Sequence, residues 1–399
     1  MKKLILPIIF AFFIYANVYA DEIVQPKIAA QGAILMDART GRVLWEHNSE
    51  VPLAMASTTK IMTAIVALEN GNLSDTVTVS KRAASAPEVN MNLTSGEKIT
   101  LEALMYALML QSYNDAAVAI AEHVGGDVET FCAMMTEKAK ELGAKDTLFE
   151  TPNGLDAGAH HSTAYDLALI TRYALQNERF MDIINTPRLT VHSDKRTFDL
   201  YNKNRLLTEY AGANGVKTGF TGKAGQCFVG AAQRNDMQLI SVVLASGWGD
   251  VGKEQKWIDT KRLLDYGFDN YKYVEIIKEN EPCGMLNITR TKTPQVALLL
   301  EKGLMMPLNA NEAAGISIQY TIPDTVMAPV EKGQIMGICT ISINGEVKSV
   351  INLLAENDSP RHDFQTSLKK ILQDWAQMGT AEEIPMENFD FLDWEIQYL

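Results

Sequence analysis

The chain has 399 residues, 47% of them hydrophobic and 21% charged, with a net charge of −13. That length allows two domains, or one large and one small, and the apolar share suffices for a sizeable core. An acidic chain repels phosphate backbones, which sets nucleic acid aside as a partner, and four scattered cysteines are too few for a disulfide-built scaffold.

In chain order, residues 1–20, MKKLILPIIFAFFIYANVYA, run from two lysines through an apolar stretch to Val18-Tyr19-Ala20, a small-residue pattern suited to cleavage after Ala20. The apolar run Leu4 to Ala16 is well short of the roughly 20 residues a spanning helix needs. The segment reads as a secretory signal peptide, and the mature chain, from Asp21, is expected outside the cytoplasm: in the periplasm or on the outer face of the cytoplasmic membrane. Loss of Lys2 and Lys3, with no acidic residue, takes the charge from −13 to −15.

Gly32 to His47 reads as two strands joined at Arg39-Thr40-Gly41. Ala54 to Glu69, AMASTTKIMTAIVALE, follows as a helix with Ile61, Ile65 and Leu68 on its apolar face, ending near Asn70-Gly71 through a left-handed residue. Ser57 and Lys60 lie three apart at its start, so hydroxyl and amine share one face. On its own, that spacing more often marks an N-cap serine and a solvated lysine, and S-x-x-K recurs at Ser95–Lys98 and Ser367–Lys370.

Ile99 to Val124 is helical and apolar almost throughout, broken at Gln111 to Asn114, and a further helix covers Val128 to Leu142. HSTAYDLALITRYALQ places Asp166 three residues after Thr163. This capping-box spacing accounts for both, so neither His161 nor Asp166 is given a catalytic role. Gly225 to Ser246 is a hairpin around Arg234-Asn235-Asp236, and a helix over Lys253 to Leu264 follows. Strands, a helical block, strands and a closing helix make an α+β plan, not a βαβ repeat.

Beyond Tyr273 the runs shorten and alternate, with Asn344-Gly345 a strong hairpin signal, so a small all-β domain is expected over about Val274 to Ala355. After Pro360, Phe364, Leu368, Ile371, Leu372, Trp375 and Met378 fall on one helical stripe that could lie on a bilayer or pack on a domain. The tail from Ala381 carries six acids and no base, which anionic lipid would repel. The expected division is 1–20 signal peptide, 21–273 catalytic domain, 274–358 β-rich domain, and 359–399 amphipathic helix and acidic tail. For Cys283 and Cys339, within one expected domain, a disulfide and two buried thiols both fit.

Metal-binding patterns such as H-E-x-x-H and C-x-x-C do not occur, so no metal or cofactor is expected; nor do G-x-S-x-G, the P-loop or G-x-G-x-x-G. A serine without a histidine is the remaining chemistry. Ser112-Tyr113-Asn114 sits at the break between two helices, and Lys217-Thr218-Gly219 leads into the hairpin. S-x-N recurs at Ser342–Asn344, whereas K-T-G occurs once.

The ordered set S-x-x-K, S-x-N, K-T-G, with LMLQSYNDAAVAIAEHVGG, NGLDAGAHHSTAYDLA, GVKTGFTGKAGQCFVGAA and DTKRLLDYGF around it, resembles the low-molecular-mass penicillin-binding proteins that act as D-alanyl-D-alanine carboxypeptidases. The similarity runs from about Ile28 to Phe268, and the β-rich addition and terminal helix also match. It implies a β-lactamase/transpeptidase-like domain, a peptidoglycan stem peptide as substrate and β-lactams as inhibitors. Ser57 would be the nucleophile and Lys60 the base, with Ser112 relaying a proton and Asn114 holding Lys60 and substrate in register. Lys217, Thr218 and Gly219 would bind substrate, and the backbone amides of Ser57 and Phe220 would form the oxyanion hole. Bringing a lysine from about 10.4 to near 7 or 8 requires about 4 kcal/mol, which burial and Lys217 would supply.

Two departures stand out. Tyr113 occupies the middle of S-x-N, where that branch usually has glycine. ASGWGDVGKEQK lacks the arginine that often helps bind carboxylate, leaving Lys253, Lys256 or Thr218 alone for the task. Other readings are a β-lactamase, a D,D-transpeptidase or endopeptidase, or a non-catalytic β-lactam sensor. No E-x-x-x-N lies between Asn114 and Lys217 to supply a deacylating glutamate, and no spanning segment follows the signal peptide to carry a sensor.

Overall fold

The computed structural model describes residues 23–362 and, beyond them, 368, 369, 371–373, 375 and 376; the expected signal peptide, Phe364 and the acidic tail lie outside the described residues. The chain divides into two compact units. One extends to Val274 and also holds Met306–Ala313; the other holds Glu275–Met305 and the chain from Ala314. Residues 306–313 were expected in the β-rich domain. Arg42 ties them to the first unit by donating to the Pro307 carbonyl and pairing with Glu312.

The first unit opens with β1 (Gly32–Asp37), β2 (Val43–His47), a tight turn over Ala56–Thr59 and α1 (Lys60–Asn70). A helical block follows: β3 (Thr76–Thr78), α2 (Lys81–Ala84), β4 (Lys98–Thr100), α3 (Leu101–Tyr106), a wide π turn over Ala107–Gln111, α4 (Asn114–Gly125), α5 (Val128–Glu141), α6 (Ala164–Ala174) and α7 (Glu178–Asn185). The chain then returns through β5 (Arg188–His192), β6 (Thr197–Tyr201), α8 (Leu206–Glu209), β7 (Ala213–Thr221), β8 (Gly225–Arg234), β9 (Met237–Leu244) and α9 (Gly249–Asn270).

The main sheet is antiparallel in the order β2-β1-β9-β8-β7. Every residue of β1 is buried because both faces are covered. Ile34 and Met36 join the core shared with the helical block, while Ala33 and Leu35 join a second core with Trp257, Leu263 and Leu264 of α9. Strands covered on both faces read as near-continuous apolar runs, as AILM in β1 and VVL in β9 do here. α1 lies in the larger core, with every residue from Lys60 to Ala67 buried.

Two helix ends differ from expectation. Gly71 is extended (φ −109°, ψ 161°), not left-handed. Space explains the glycine, since a Cβ would lie 2.7 Å from Leu101 Cδ2 and 2.9 Å from the Ala67 carbonyl oxygen. α9 starts at Gly249 and runs to Asn270, beyond Lys253–Leu264 at both ends. Its N-cap, Trp248, makes no side-chain capping bond, so the usual start signal is missing, and Gly252 sits inside the helix where it abuts Gly247.

After β10 (Lys272–Ile277) come β11 (Pro282–Thr289), β12 (Gln295–Leu300), β13 (Leu304–Leu308), whose last three residues belong to the first unit, and then, in the second unit, β14 (Ile316–Thr321), β15 (Thr325–Met327), β16 (Ile335–Ile343) and β17 (Glu346–Ala355). Six of these make a sheet in the order β14-β16-β17-β12-β11-β15. Asn344 and Gly345, at φ 52° and 84°, form the expected two-residue turn between β16 and β17. Cys283 and Cys339 are free thiols, as are Cys132 and Cys227. Of the terminal stripe, Leu368, Ile371, Leu372 and Trp375 are exposed, Trp375 at 75%.

Candidate active site

Ser57 lies on the tight turn that precedes α1. Ala56 before it has φ 49°, a conformation that non-glycine residues rarely adopt, and this kink turns the chain sharply into the helix. Thr58 Oγ1 and Thr59 Oγ1 bond back to the Met55 and Ala56 carbonyls at 2.7 and 2.8 Å, which holds the turn. Gly154 faces it closely, since a Cβ there would sit 2.0 Å from the Ala56 oxygen. On the other side runs β7, where a Cβ on Gly219 would sit 2.9 Å from Ser57 N. Glycine lets both backbones approach.

Lys60, one turn later, is fully buried. Its Nζ donates to Ser57 Oγ at 2.9 Å, to Asn114 Oδ1 at 2.8 Å and to the Asn153 carbonyl, so all three ammonium hydrogens have acceptors. Burial is the main cause that holds Lys60 well below the ordinary lysine value. The charges of Lys217 and Lys203 add to it, and Asp115 pulls the other way. Ser57 Oγ also donates to the Asn153 carbonyl, at 3.3 Å.

Asn114 opens α4, and its Nδ2 donates to the Pro87 and Glu88 carbonyls, both at 3.1 Å. Ser112 ends the π turn in the left-handed region, with φ 66° and ψ 32°. The structure brings Ser57, Lys60 and Asn114 into direct hydrogen bonds; among the described residues, the Ser112 hydroxyl forms none. Lys217 is buried, with Nζ 2.9 Å from the Thr218 carbonyl, and burial lowers it to about 7, helped by Lys203 and Lys256. Thr218 is half-buried, Gly219 lies against Ser57, and Phe220 turns its ring to solvent.

Three contributors were not read from the sequence. Asn153 acts through a backbone carbonyl, which no side-chain motif displays. Lys203 lies between β6 and α8, donates to the Gln111 carbonyl at 3.0 Å, and thereby braces the π turn. Asp156 accepts from Thr221 Oγ1 at 3.1 Å, linking the loop after Asn153 to the β7–β8 turn. Of the basic residues after the hairpin, Lys253 is exposed and paired with Asp250. Lys256 is half-buried, donates to Gln226 Oε1, and is lowered to about 8 by burial.

The histidines stand apart. His160 accepts from Glu150 N through Nδ1 at 3.1 Å, so its Nε2 carries the proton toward Thr59 Oγ1 at 2.9 Å, and burial lowers it to about 4. His161 Nδ1 faces the Ala159 carbonyl. Thr163 caps α6 at 2.9 Å from Asp166 N, but the Asp166 carboxylate accepts from Asp146 N and Thr147 Oγ1, so half of the capping box forms. Among the described residues no cluster could hold a metal ion, and no helix is long and apolar enough to cross a membrane.

Residues 20–247 match the family described as D-alanyl-D-alanine carboxypeptidase, and residues 271–361 match the penicillin-binding protein 5 C-terminal domain. D-alanyl-D-alanine carboxypeptidase DacF of Bacillus subtilis is 33% identical over 356 residues, which cover 87% of this chain and 90% of that protein. DacC of Escherichia coli is 31% identical, over 84% of this chain and 86% of its own. The crystal structure of penicillin binding protein 5 from Haemophilus influenzae superposes with a TM-score of 0.72 at 27% identity, covering 85% of this chain and 100% of that one. The chain is therefore a member of the D-alanyl-D-alanine carboxypeptidase family of low-molecular-mass penicillin-binding proteins.

Proposed function

We propose that Ser57 is the nucleophile of a serine D-alanyl-D-alanine carboxypeptidase that trims peptidoglycan stem peptides outside the cytoplasm. The observation that carries this is the Lys60 amine, buried and 2.9 Å from Ser57 Oγ, with Asn114 and Asn153 filling its other positions. In its neutral form Lys60 takes the Ser57 proton as Oγ attacks the carbonyl between the two D-alanines. The oxyanion forms beside Ser57 N, near the N-terminus of α1, and Phe220 N would be the second donor. The C–N bond then breaks. The proton passes by way of Ser112 to the leaving amine, D-alanine departs, and water hydrolyses the Ser57 ester.

Lys217 and Thr218 bind the substrate's terminal carboxylate. Lys256, not Lys253, stands in for the missing arginine, because its amine is the one close enough to depress Lys217. Penicillins acylate the same serine and leave slowly. The stripe of Leu368, Ile371, Leu372 and Trp375 contacts the bilayer surface, which its exposure supports.

The test is release of D-alanine from a diacyl-lysyl-D-alanyl-D-alanine peptide by the mature chain, run beside Ser57→Ala. Release by the parent alone supports the reading. No release from a parent whose Ser57 still takes up labelled penicillin would overturn the carboxypeptidase assignment in favour of transfer or sensing.

A further inference from the structure

Asp115 follows Asn114 in the first turn of α4, and the reaction above gives it no task, yet it is 1% exposed. Its carboxylate accepts Met91 N on both oxygens, at 3.0 and 2.9 Å, Leu93 N at 3.1 Å and Ala116 N at 2.9 Å. Such bonds, together with the helix N-terminus, make a buried carboxylate tolerable. The segment carrying the Met91 and Leu93 amides reaches back to the neighbouring residue. Its Pro87 and Glu88 carbonyls take the Asn114 Nδ2 hydrogens, and the Val89 carbonyl takes Asn114 N at 2.7 Å. The far end is fastened separately: buried Glu97 accepts from Thr94 N at 2.9 Å and pairs with Arg196.

This arrangement gives the Asn114 amide a direction. A side-chain amide has a donor end and an acceptor end. With two carbonyls facing Nδ2, Oδ1 must face Lys60. Turned over, the amide would set its oxygen against both carbonyls and its N–H groups against the lysine. The position of carbonyls 87 to 89 therefore decides how the Lys60 amine is aimed at Ser57, and Asp115 holds the segment from which they come.

We propose that Asp115 is a positioning residue, which fixes the Asn114 amide through segment 87–93 and, through that amide, the approach of Lys60 to Ser57. The proposal rests on the roles given above to Ser57 and Lys60. It predicts that the effect of Asp115 passes through Asn114 and disappears when Asn114 is gone.

The experiment is a double-mutant cycle in the mature chain, comparing the parent, Asp115→Asn, Asn114→Ala and both together. The readout is the second-order rate of acylation by a fluorescent penicillin, with a thermal melt of each protein. Asparagine matches the shape of Asp115 but turns an N–H group toward amides that need acceptors. Acylation by Asp115→Asn is expected to fall roughly 10- to 100-fold, as displacement of a catalytic group by a fraction of an ångström to an ångström does. The double variant is expected to be no slower than Asn114→Ala. Loss of the Asp115 charge alone would lower Lys60 further and favour its basic form, so a fall in rate reports position and not field. Equal fold-losses in both backgrounds, or an unchanged rate in Asp115→Asn, would overturn the proposal. If Asp115→Asn does not fold, Asp115→Ser takes its place in the same cycle with the same two outcomes. Continued labelling of Ser57→Ala would instead sink the Ser57 reading.

Discussion

As an ammonium, Lys60 has three hydrogens and meets three acceptors, whereas the base proposed above is the neutral amine, toward which the Ser57 hydroxyl must turn. Burial and two neighbouring lysines favour loss of that proton, while Lys217, lowered to about 7, must on the same proposal keep its own to hold a carboxylate. The two demands oppose each other. As pH falls, Lys60 is protonated and kcat/KM drops; as pH rises past about 7, free Lys217 is neutralised and kcat/KM drops again. A bell in kcat/KM is expected, with the alkaline limb of kcat shifted upward because bound carboxylate raises Lys217. D-alanine release measured against pH checks this. Lys217→Arg, permanently charged, should flatten the alkaline limb; a limb that persists in that variant would count against Lys217 as its source. The hydrogen-bonded set of Ser57, Lys60 and Asn114 was legible because these residues meet through side chains that a motif displays. Asn153 was not, since any residue has a carbonyl, and Lys203 was not, since only folding brings it to Gln111.

Among the elements, the interruption at Gln111 to Asn114 was legible as polarity inside an apolar run, but its form was not. The chain widens into a π turn before Ser112 enters the left-handed region, a local hydrogen-bond choice that no residue type in ALMLQ announces. α9 was underestimated because its two early glycines look like a turn, whereas Gly249 opens the helix at φ 60° and Gly252 is a close contact with Gly247. The terminal stripe bears a prediction of its own. Leu368, Ile371, Leu372 and Trp375 follow helical spacing and are exposed, and burying each in lipid is worth about 1.5 to 3 kcal/mol. The mature chain should sediment with neutral phosphatidylcholine vesicles, less with anionic ones because of the acidic tail, and Trp375→Asp should weaken both. Retention in the supernatant with neutral vesicles would remove the membrane contact.

For the whole molecule, the plan of a mixed helical and sheet unit followed by a β-rich one was legible because the apolar period changes near Tyr273. The return of residues 306–313 to the first unit was not, because eight residues, MPLNANEA, change neither period nor composition. The same scale sets the electrostatics of the cleft. The chain carries a net −13, yet beside Lys60 the site gathers buried Lys217, half-buried Lys256, and Lys203 at its rim. An anionic peptide is thus repelled at long range and attracted once inside. Salt screens the first field sooner, since the Debye length falls from about 30 Å at 0.01 M to about 8 Å at 0.15 M while buried charges are screened less. Peptide kcat/KM should therefore rise with ionic strength before it falls, and a steady fall from the lowest salt would contradict this. On the function proposed above, such a molecule is a sieve among anions: its outer charge turns long anionic polymers away, and its cleft retains the short peptide end that fits among the lysines.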